Sequence, residues 1–390
     1  MRSTFAARFS TRVMHVFAGI CATIFALDGC TATASAIDLP RAGSHCGEMP
    51  QTERWLDAGT PDVGVTPPLL SAHRGGTTLA PENTLWAYRH AFAYGVDFVE
   101  IDVRETLDGV FISMHDATVD RTTDGTGAVA QLTWAQIEAL NAADYAPWKG
   151  TQYDPTRVPR LEEILELARD ANTGIEFDIK DLRNPTRFVD LVASYGLLSR
   201  SYFALSGDDA GVAQAYNPEI RAIFNVDGDE SPEYLYEQTS RSAVFGSQLK
   251  RWPPEKIAAI HDGCSFVLPH SYDLGVLAEA DQFRQARQRG ADGAQIDAPE
   301  WIAEVAERQV PAHLRFLADT RHVCLYNSNN DLGIPRRLLV VLSRLQLPSV
   351  RTTNRYGCIT LPSDPGAYTV IHFGTPGVRD TTLRFFAPAG

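Results

Sequence analysis

The 390-residue chain carries 35 Lys+Arg against 48 Asp+Glu, a formal charge of −13, with 44% hydrophobic and 21% charged residues. This length exceeds one small module, and the composition excludes a disordered, collagenous or coiled-coil chain. The acidic balance argues against nucleic acid as a partner held by bulk charge, while leaving room for a local phosphate pocket.

The N-terminus reads as a signal peptide over residues 1–36. Arg2, Arg8 and Arg12 precede an apolar run from Val16 to Leu27 and the small-x-small site Ala34-Ser35-Ala36. The expectation is export, to the periplasm or the medium. The apolar run is too short to make a stable membrane span. Leu27-Asp28-Gly29-Cys30 also outlines a lipoprotein signal, which would make Cys30 a lipid anchor, although Asp28 fits that pattern poorly. Cleavage after Ala36 leaves Cys46, Cys264, Cys324 and Cys358, enough for two disulfides in three connectivities. No cysteine spacing suggests a zinc site. Residues 37–66, rich in Pro, Gly, Asp and Thr, read as a leader strapped onto the next domain.

From Leu69 onward short β-branched runs alternate with amphipathic segments. Leu69–His73, Phe98–Arg104, Gly174–Lys180, Ser201–Leu205, Arg221–Val226, Ala243–Leu249, Phe266–Leu268 and Gly293–Ile296 read as strands. Thr84–Tyr94, Arg187–Tyr195, Ala210–Tyr216, Glu233–Ser240, Pro254–His261, Leu277–Arg289 and Trp301–Arg308 read as helices. Eight such units over residues 67–309 predict an α/β fold, a (β/α)8 TIM barrel. The interval after the second strand is too long for one helix. It holds Val110–His115, Thr133–Leu140 and Leu161–Ala171 and predicts a small insertion at the barrel rim. Over residues 310–390 the pattern becomes short, alternating and Gly/Pro-bounded, which predicts a small all-β, sandwich-like module. Its Thr352–Cys358 turn, followed by Pro365-Gly366-Ala367-Tyr368, resembles carboxypeptidase-regulatory-like or transthyretin-like modules. Cys324 and Cys358 are placed to join its strands.

Four polar clusters fall at or near predicted strand ends, where a barrel keeps its chemistry. His73-Arg74-Gly75-Gly76 combines a proton carrier, a phosphate clamp and flexible backbone. On the second strand Glu100, Asp102 and Arg104 share one face by the period of two, with Val99, Ile101 and Val103 on the other. His115-Asp116 ends the first strand of the insertion. Glu176-Phe177-Asp178-Ile179-Lys180 again sends polar residues to one face. Each cluster alone also admits a plain structural ion pair. Together they supply hard oxygen ligands for Ca²⁺ or Mg²⁺, an acid/base pair and phosphate clamps.

In sequence these residues resemble the glycerophosphodiester phosphodiesterase family. The resemblance runs from Ser71-Ala72-His73-Arg74-Gly75 and Ala80-Pro81-Glu82-Asn83-Thr84 through Val99-Glu100-Ile101-Asp102-Val103, Asp108-Gly109 and His115-Asp116. It continues through Arg121–Gly127 to Gly290-Ala291-Asp292-Gly293. It implies His73 and His115 as the catalytic acid/base pair, Glu100, Asp102 and a third carboxylate as metal ligands, and Arg74 and Lys180 as substrate-binding residues. The implied substrate is a small glycerophosphodiester, cleaved to sn-glycerol 3-phosphate and an alcohol. Within the second motif, Glu82 and Asn83 are expected to brace the loop.

Several positions depart from the family pattern. Its third strand usually carries Glu-x-Lys; here Asp178-Ile179-Lys180 stands there with Glu176 before it, and Asp178 is the preferred ligand. Asp-x-Lys also resembles sphingomyelinase D-type phospholipases, which makes a phospholipase D-like lyase forming a cyclic phosphate the alternative chemistry. A non-catalytic barrel that only binds is the alternative outside enzymology. The family's Trp-Thr pair is replaced by the Leu268-Pro269-His270 region, and Ile296-Asp297-Ala298-Pro299 stands for its Thr-Asp-x-Pro, with Asp297 as readily structural as substrate-facing.

Overall fold

The computed structural model describes residues 68–387, apart from positions 172, 206, 227–229, 240–241, 264, 272–275, 301, 303–308, 318–319, 336, 344–348, 363–365, 373–376 and 380. The signal peptide, the leader, Cys30, Cys46, Cys264 and most of the expected Trp301–Arg308 helix lie outside the described residues.

Eight parallel strands close on themselves. They are β1 (Leu69–Ala72), β2 (Phe98–Glu105), β4 (Gly174–Asp181), β5 (Ser201–Ala204), β6 (Arg221–Asn225), β7 (Ser242–Gln248), β8 (Phe266–His270) and β9 (Gly293–Ile296), with β9 paired back to β1. The helices between them are α1 (Leu85–Ala93), α3 (Leu161–Ala171), α4 (Pro185–Ser194), α5 (Gly207–Tyr216), α6 (Pro232–Gln238), α7 (Pro254–Asp262) and α8 (Val276–Gln288). This is the expected TIM barrel. The insertion after β2 contains β3 (Phe111–Ser113), antiparallel to the end of β2, and the short helix α2 (Trp134–Glu138).

The alternation read from sequence decides which side chains face where. Outward residues Leu70, Ala72, Val99, Ile101, Ile175 and Phe177 join Phe92, Phe188 and Phe283 of the helices in one buried layer. Each fully buried aromatic or aliphatic side chain there contributes about 1.5–3 kcal/mol. Inward residues Leu69, Phe98, Tyr202, Ile223 and Leu268 plug the barrel floor. Above that floor the inward positions turn polar or small, and the site begins.

The C-terminal region forms antiparallel sheets. One contains β11 (Ala312–Leu317), β12 (His322–Asn327) and β15 (Cys358–Thr360). The other is ordered β14 (Ser349–Thr352), β13 (Leu338–Ser343), β16 (Gly366–His372), β18 (Thr381–Ala387). A two-stranded parallel ladder, β10 (Gln309–Val310) with β17 (Gly377–Val378), lies beside them. A disulfide joins Cys324 and Cys358, directly opposed on β12 and β15. Leu314, Val323 and Leu325 of one sheet and Leu339, Val341 and Val370 of the other share a core with Leu79, Ala93 and Tyr94 of the barrel. Polar contacts add to this seam. Tyr94 Oη donates to Pro335 O at 2.7 Å, Asn327 Nδ2 to Ala93 O at 3.2 Å and Asn330 Nδ2 to Phe92 O at 3.0 Å. His90 Nε2 lies 2.9 Å from Arg355 O.

Candidate active site

β1 ends in a tight turn at His73–Gly75, followed by Gly76. Arg74, Gly75 and Gly76 all take positive φ, at 51°, 82° and 89°. Glycine is needed at position 75 for conformation and for space, because a Cβ there would sit 2.8 Å from the Ala87 Cβ and 2.9 Å from the Tyr88 nitrogen on α1. The turn sets His73 at the cavity mouth and points the Arg74 amide at Glu100 Oε2, 2.8 Å away.

β2 and β4 then place three carboxylates together. Asp102 and Asp178 are register partners, and one ligand oxygen from each of Glu100, Asp102 and Asp178 lies within 4.8 Å of the others. Asn83 Nδ2 donates to Asp102 Oδ2 at 2.7 Å, and Lys180 Nζ bridges Asp102 Oδ1 at 3.0 Å and Asp178 Oδ2 at 2.5 Å. Glu176, the register partner of Glu100, accepts from Ser71 Oγ and from Gln295 Nε2 at 3.0 Å. Of the two candidates for the third carboxylate, Asp178 therefore joins the cluster and Glu176 is tied to the barrel wall.

Burial, reinforced by Asp102 and Asp178, holds the Glu100 carboxyl well above its usual range. Burial pushes Asp102 the same way, but Lys180 and Arg74 outweigh it and bring Asp102 below the usual carboxylate range. The Arg74 Nε is buried without a hydrogen-bond acceptor, 3.5 Å from Asp102 Oδ2. Crowded carboxylate oxygens of this kind suit a hard divalent cation, which would relieve the repulsion felt by Glu100.

Both histidines are oriented through Nδ1. His73 Nδ1 lies 2.8 Å from Asp297 Oδ1, on the loop after β9, and His115 Nδ1 lies 2.7 Å from Asp116 Oδ1. Arg121 grips Asp116 at 2.6 Å and Glu82 at 2.7 Å, and Glu82 in turn accepts from Arg74 Nη1 at 2.9 Å. Hydrogen bonding from Arg121 carries Asp116 down to about 2 despite some burial. The insertion is thereby fastened to the β1 turn by a charged relay. Arg104 donates to His115 O at 2.6 and 3.0 Å, fixing the backbone below that histidine.

The cavity these groups line measures ≈ 80 Å³ and contains every site residue expected from sequence except Lys180, which borders it through Asp102 and Asp178. Its far wall also holds His270, which the sequence reading placed where the family carries its Trp-Thr pair, and Asn225 and Gly246, which that reading did not single out as functional. Their signal was position: Asn225 and His270 are the last residues of β6 and β8.

The sequence matches the family model of the glycerophosphoryl diester phosphodiesterase family over residues 73–208, the segment that carries the carboxylates, both histidines and Lys180. Over those residues the barrel resembles that family. Glycerophosphodiester phosphodiesterase 1 of Homo sapiens is 45% identical over 183 residues, covering 46% of this chain and 49% of its own. A glycerophosphodiester phosphodiesterase of Caldanaerobacter subterraneus subsp. tengcongensis is 39% identical over 112 residues, 29% of this chain and 45% of its own. The matches thus span about half the length of these relatives. The glycerophosphodiester phosphodiesterase structure from Agrobacterium tumefaciens superposes with a TM-score of 0.52 at 27% identity, covering 60% of this chain and 98% of its own. An Oleispira antarctica phosphodiesterase, solved with its product sn-glycerol-3-phosphate, shares the fold at 24% identity and a TM-score of 0.52, over 62% of this chain and 97% of its own. The family resemblance therefore rests on the barrel that holds the cluster.

Proposed function

We propose that this chain is a divalent-cation-dependent phosphodiester hydrolase that cleaves glycerophosphodiesters to sn-glycerol 3-phosphate and an alcohol. The observation that carries the reading is the meeting, in one cavity, of the Glu100/Asp102/Asp178 cluster with two histidines each steered by its own carboxylate. The names of the similar proteins support the same substrate class. Glu100, Asp102 and Asp178 would hold Ca²⁺ or Mg²⁺, which when bound would neutralise charge on the phosphoryl oxygens.

The chain's own groups do the rest. Arg74 and Lys180 bind the phosphate and fix its orientation. With Nδ1 of each histidine held by Asp297 or Asp116, proton transfer would run through Nε2. One takes the proton from the nucleophile and the other delivers one to the departing alkoxide. Asp297 and Asp116 set the tautomer and stabilise the imidazolium that forms. We further propose that the chain acts after export, in the periplasm or outside the cell, following the signal grammar of residues 1–36.

The test is phosphorus NMR of the protein with glycerophosphocholine, with and without EDTA, beside His73→Ala and His115→Ala. Glycerol 3-phosphate formed only with cation and both histidines is the expected result. A persistent cyclic phosphate would transfer the chain to the lyase chemistry, and a folded, cation-loaded protein that turns over no glycerophosphodiester would overturn the reading.

A further inference from the structure

The cavity has a second wall, facing the carboxylates, whose chemistry the proton-transfer scheme does not use. It is built at the ends of β5–β8, where small residues leave room: Ala204 closes β5, and Gly246 occupies the inward position of β7 between Asn225 on β6 and Leu268 on β8. A Cβ at Gly246 would lie 2.8 Å from His270 Nε2 and 3.3 Å from Asn225 Oδ1. Two polar side-chain atoms from different strands thus converge on space that exists because position 246 carries no side chain. His270 is half-buried at the end of β8. Burial, with His73 and Arg251 nearby, drives its pKa down to about 4, so its ring is neutral at neutral pH. Asn225 is neutral by chemistry, and Ile223 and Leu268 flank the pair. None of these six wall residues is a carboxylate. The wall offers hydrogen bonds without charge, which suits hydroxyl groups and gives a cationic group nothing to pair with.

We propose that Asn225 and His270 are specificity-determining residues that bind a short, uncharged, hydroxyl-bearing arm of the phosphodiester. The assignment rests on the reading above, in which the phosphate lies at the carboxylate cluster of the same cavity. Asn225 is exposed at the open end of β6 and His270 is half-buried, so the pair favours a ligand that brings hydroxyls over one that lacks them through the hydrogen bonds it forms rather than through buried groups left unpaired.

Two probes isolate that effect. sn-Glycerol 3-phosphate and n-propyl phosphate share the phosphate and the three-carbon chain and differ in two hydroxyls. Calorimetric titration of the full chain with added Mg²⁺ should show the glycerol ester binding about tenfold or more tighter. His270→Leu and Asn225→Ala, checked for folding by circular dichroism, should each bring the two affinities toward equality by weakening the glycerol ester alone. Equal binding of both esters by the unsubstituted protein would overturn the inference while leaving the phosphate site standing. So would an affinity ratio untouched by either substitution, or a folded variant that loses both ligands together. Binding of neither ester would overturn the phosphate-site reading and this inference with it.

Discussion

His73 and Asp297 lie 224 residues apart in sequence and 2.8 Å apart in space. If Asp297 acts through His73, Asp297→Asn should cut kcat by about 10²-fold or more, leave KM within about threefold and change the shape of the pH–rate profile. A merely structural Asp297 would lower thermal stability without altering that profile. A second prediction concerns the choice between neighbouring carboxylates. In calorimetric titrations with Mg²⁺ or Ca²⁺, Asp178→Asn should lose roughly tenfold or more in affinity, whereas Glu176→Gln should stay within about threefold, because its carboxylate is already held by Ser71 and Gln295. At this scale the sequence was legible where chemistry repeats along one strand. Glu100 and Asp102 alternate with valine and isoleucine, so their shared inward face follows from the period of two. The partnership of Asp297 with His73 was illegible, because closing the barrel through β9 is what brings the two ends of the domain together.

Among the elements, α8 carries a buried acid that links its first turn to the loop holding Asp297. Glu279 accepts from the Asp297 and Ala298 amides. Burial is the main cause of its pKa being pushed up to about 8, with Asp297 and Glu300 adding repulsion against the amides' opposing pull. Between pH 4.5 and 8 the folded state therefore holds a proton that the unfolded state has lost. This contribution is fully present below about pH 4.5 and disappears as pH rises through 8. Chemical denaturation across that range should show stability falling, on the order of 5 kcal/mol at most, and Glu279→Gln should flatten the dependence. A wild-type curve as flat as the variant's would refute it. Element boundaries were read best where periodicity was unbroken, as in Leu161–Ala171 and Gly293–Ile296, which match the structure at both ends. Strand β11 was missed although Ala312, Leu314 and Phe316 alternate with His313 and Arg315. Its residues are mostly half-exposed, and its strand character comes from pairing with β12.

At the scale of the whole molecule, barrel and C-terminal sheets share apolar side chains and so should unfold together. The Cys324–Cys358 disulfide closes a loop of sequence separation 34. Replacing both cysteines by serine should cost about 3–4 kcal/mol in the chain-entropy account, read as a lowered midpoint in thermal or denaturant unfolding. A change of less than about 1 kcal/mol would show that neighbouring strand contacts already restrict that loop.

The double asparagine variant Asn327→Ala/Asn330→Ala tests the seam more finely. It removes the side chains that hydrogen-bond the last carbonyls of α1, of which Phe92 O also accepts from the Gly95 amide, and about 1–3 kcal/mol of stability should go with them. α1 is nine residues, about 14 Å, long. Its far end begins just after Asn83, the residue that steadies Asp102. A helix pinned at one end by the sheets and at the other by the carboxylate cluster behaves as a strut. Slackening its distal fastening should therefore weaken Mg²⁺ binding measurably, at a distance no contact spans directly, and the C-terminal module would then count as scaffolding for the catalytic mouth.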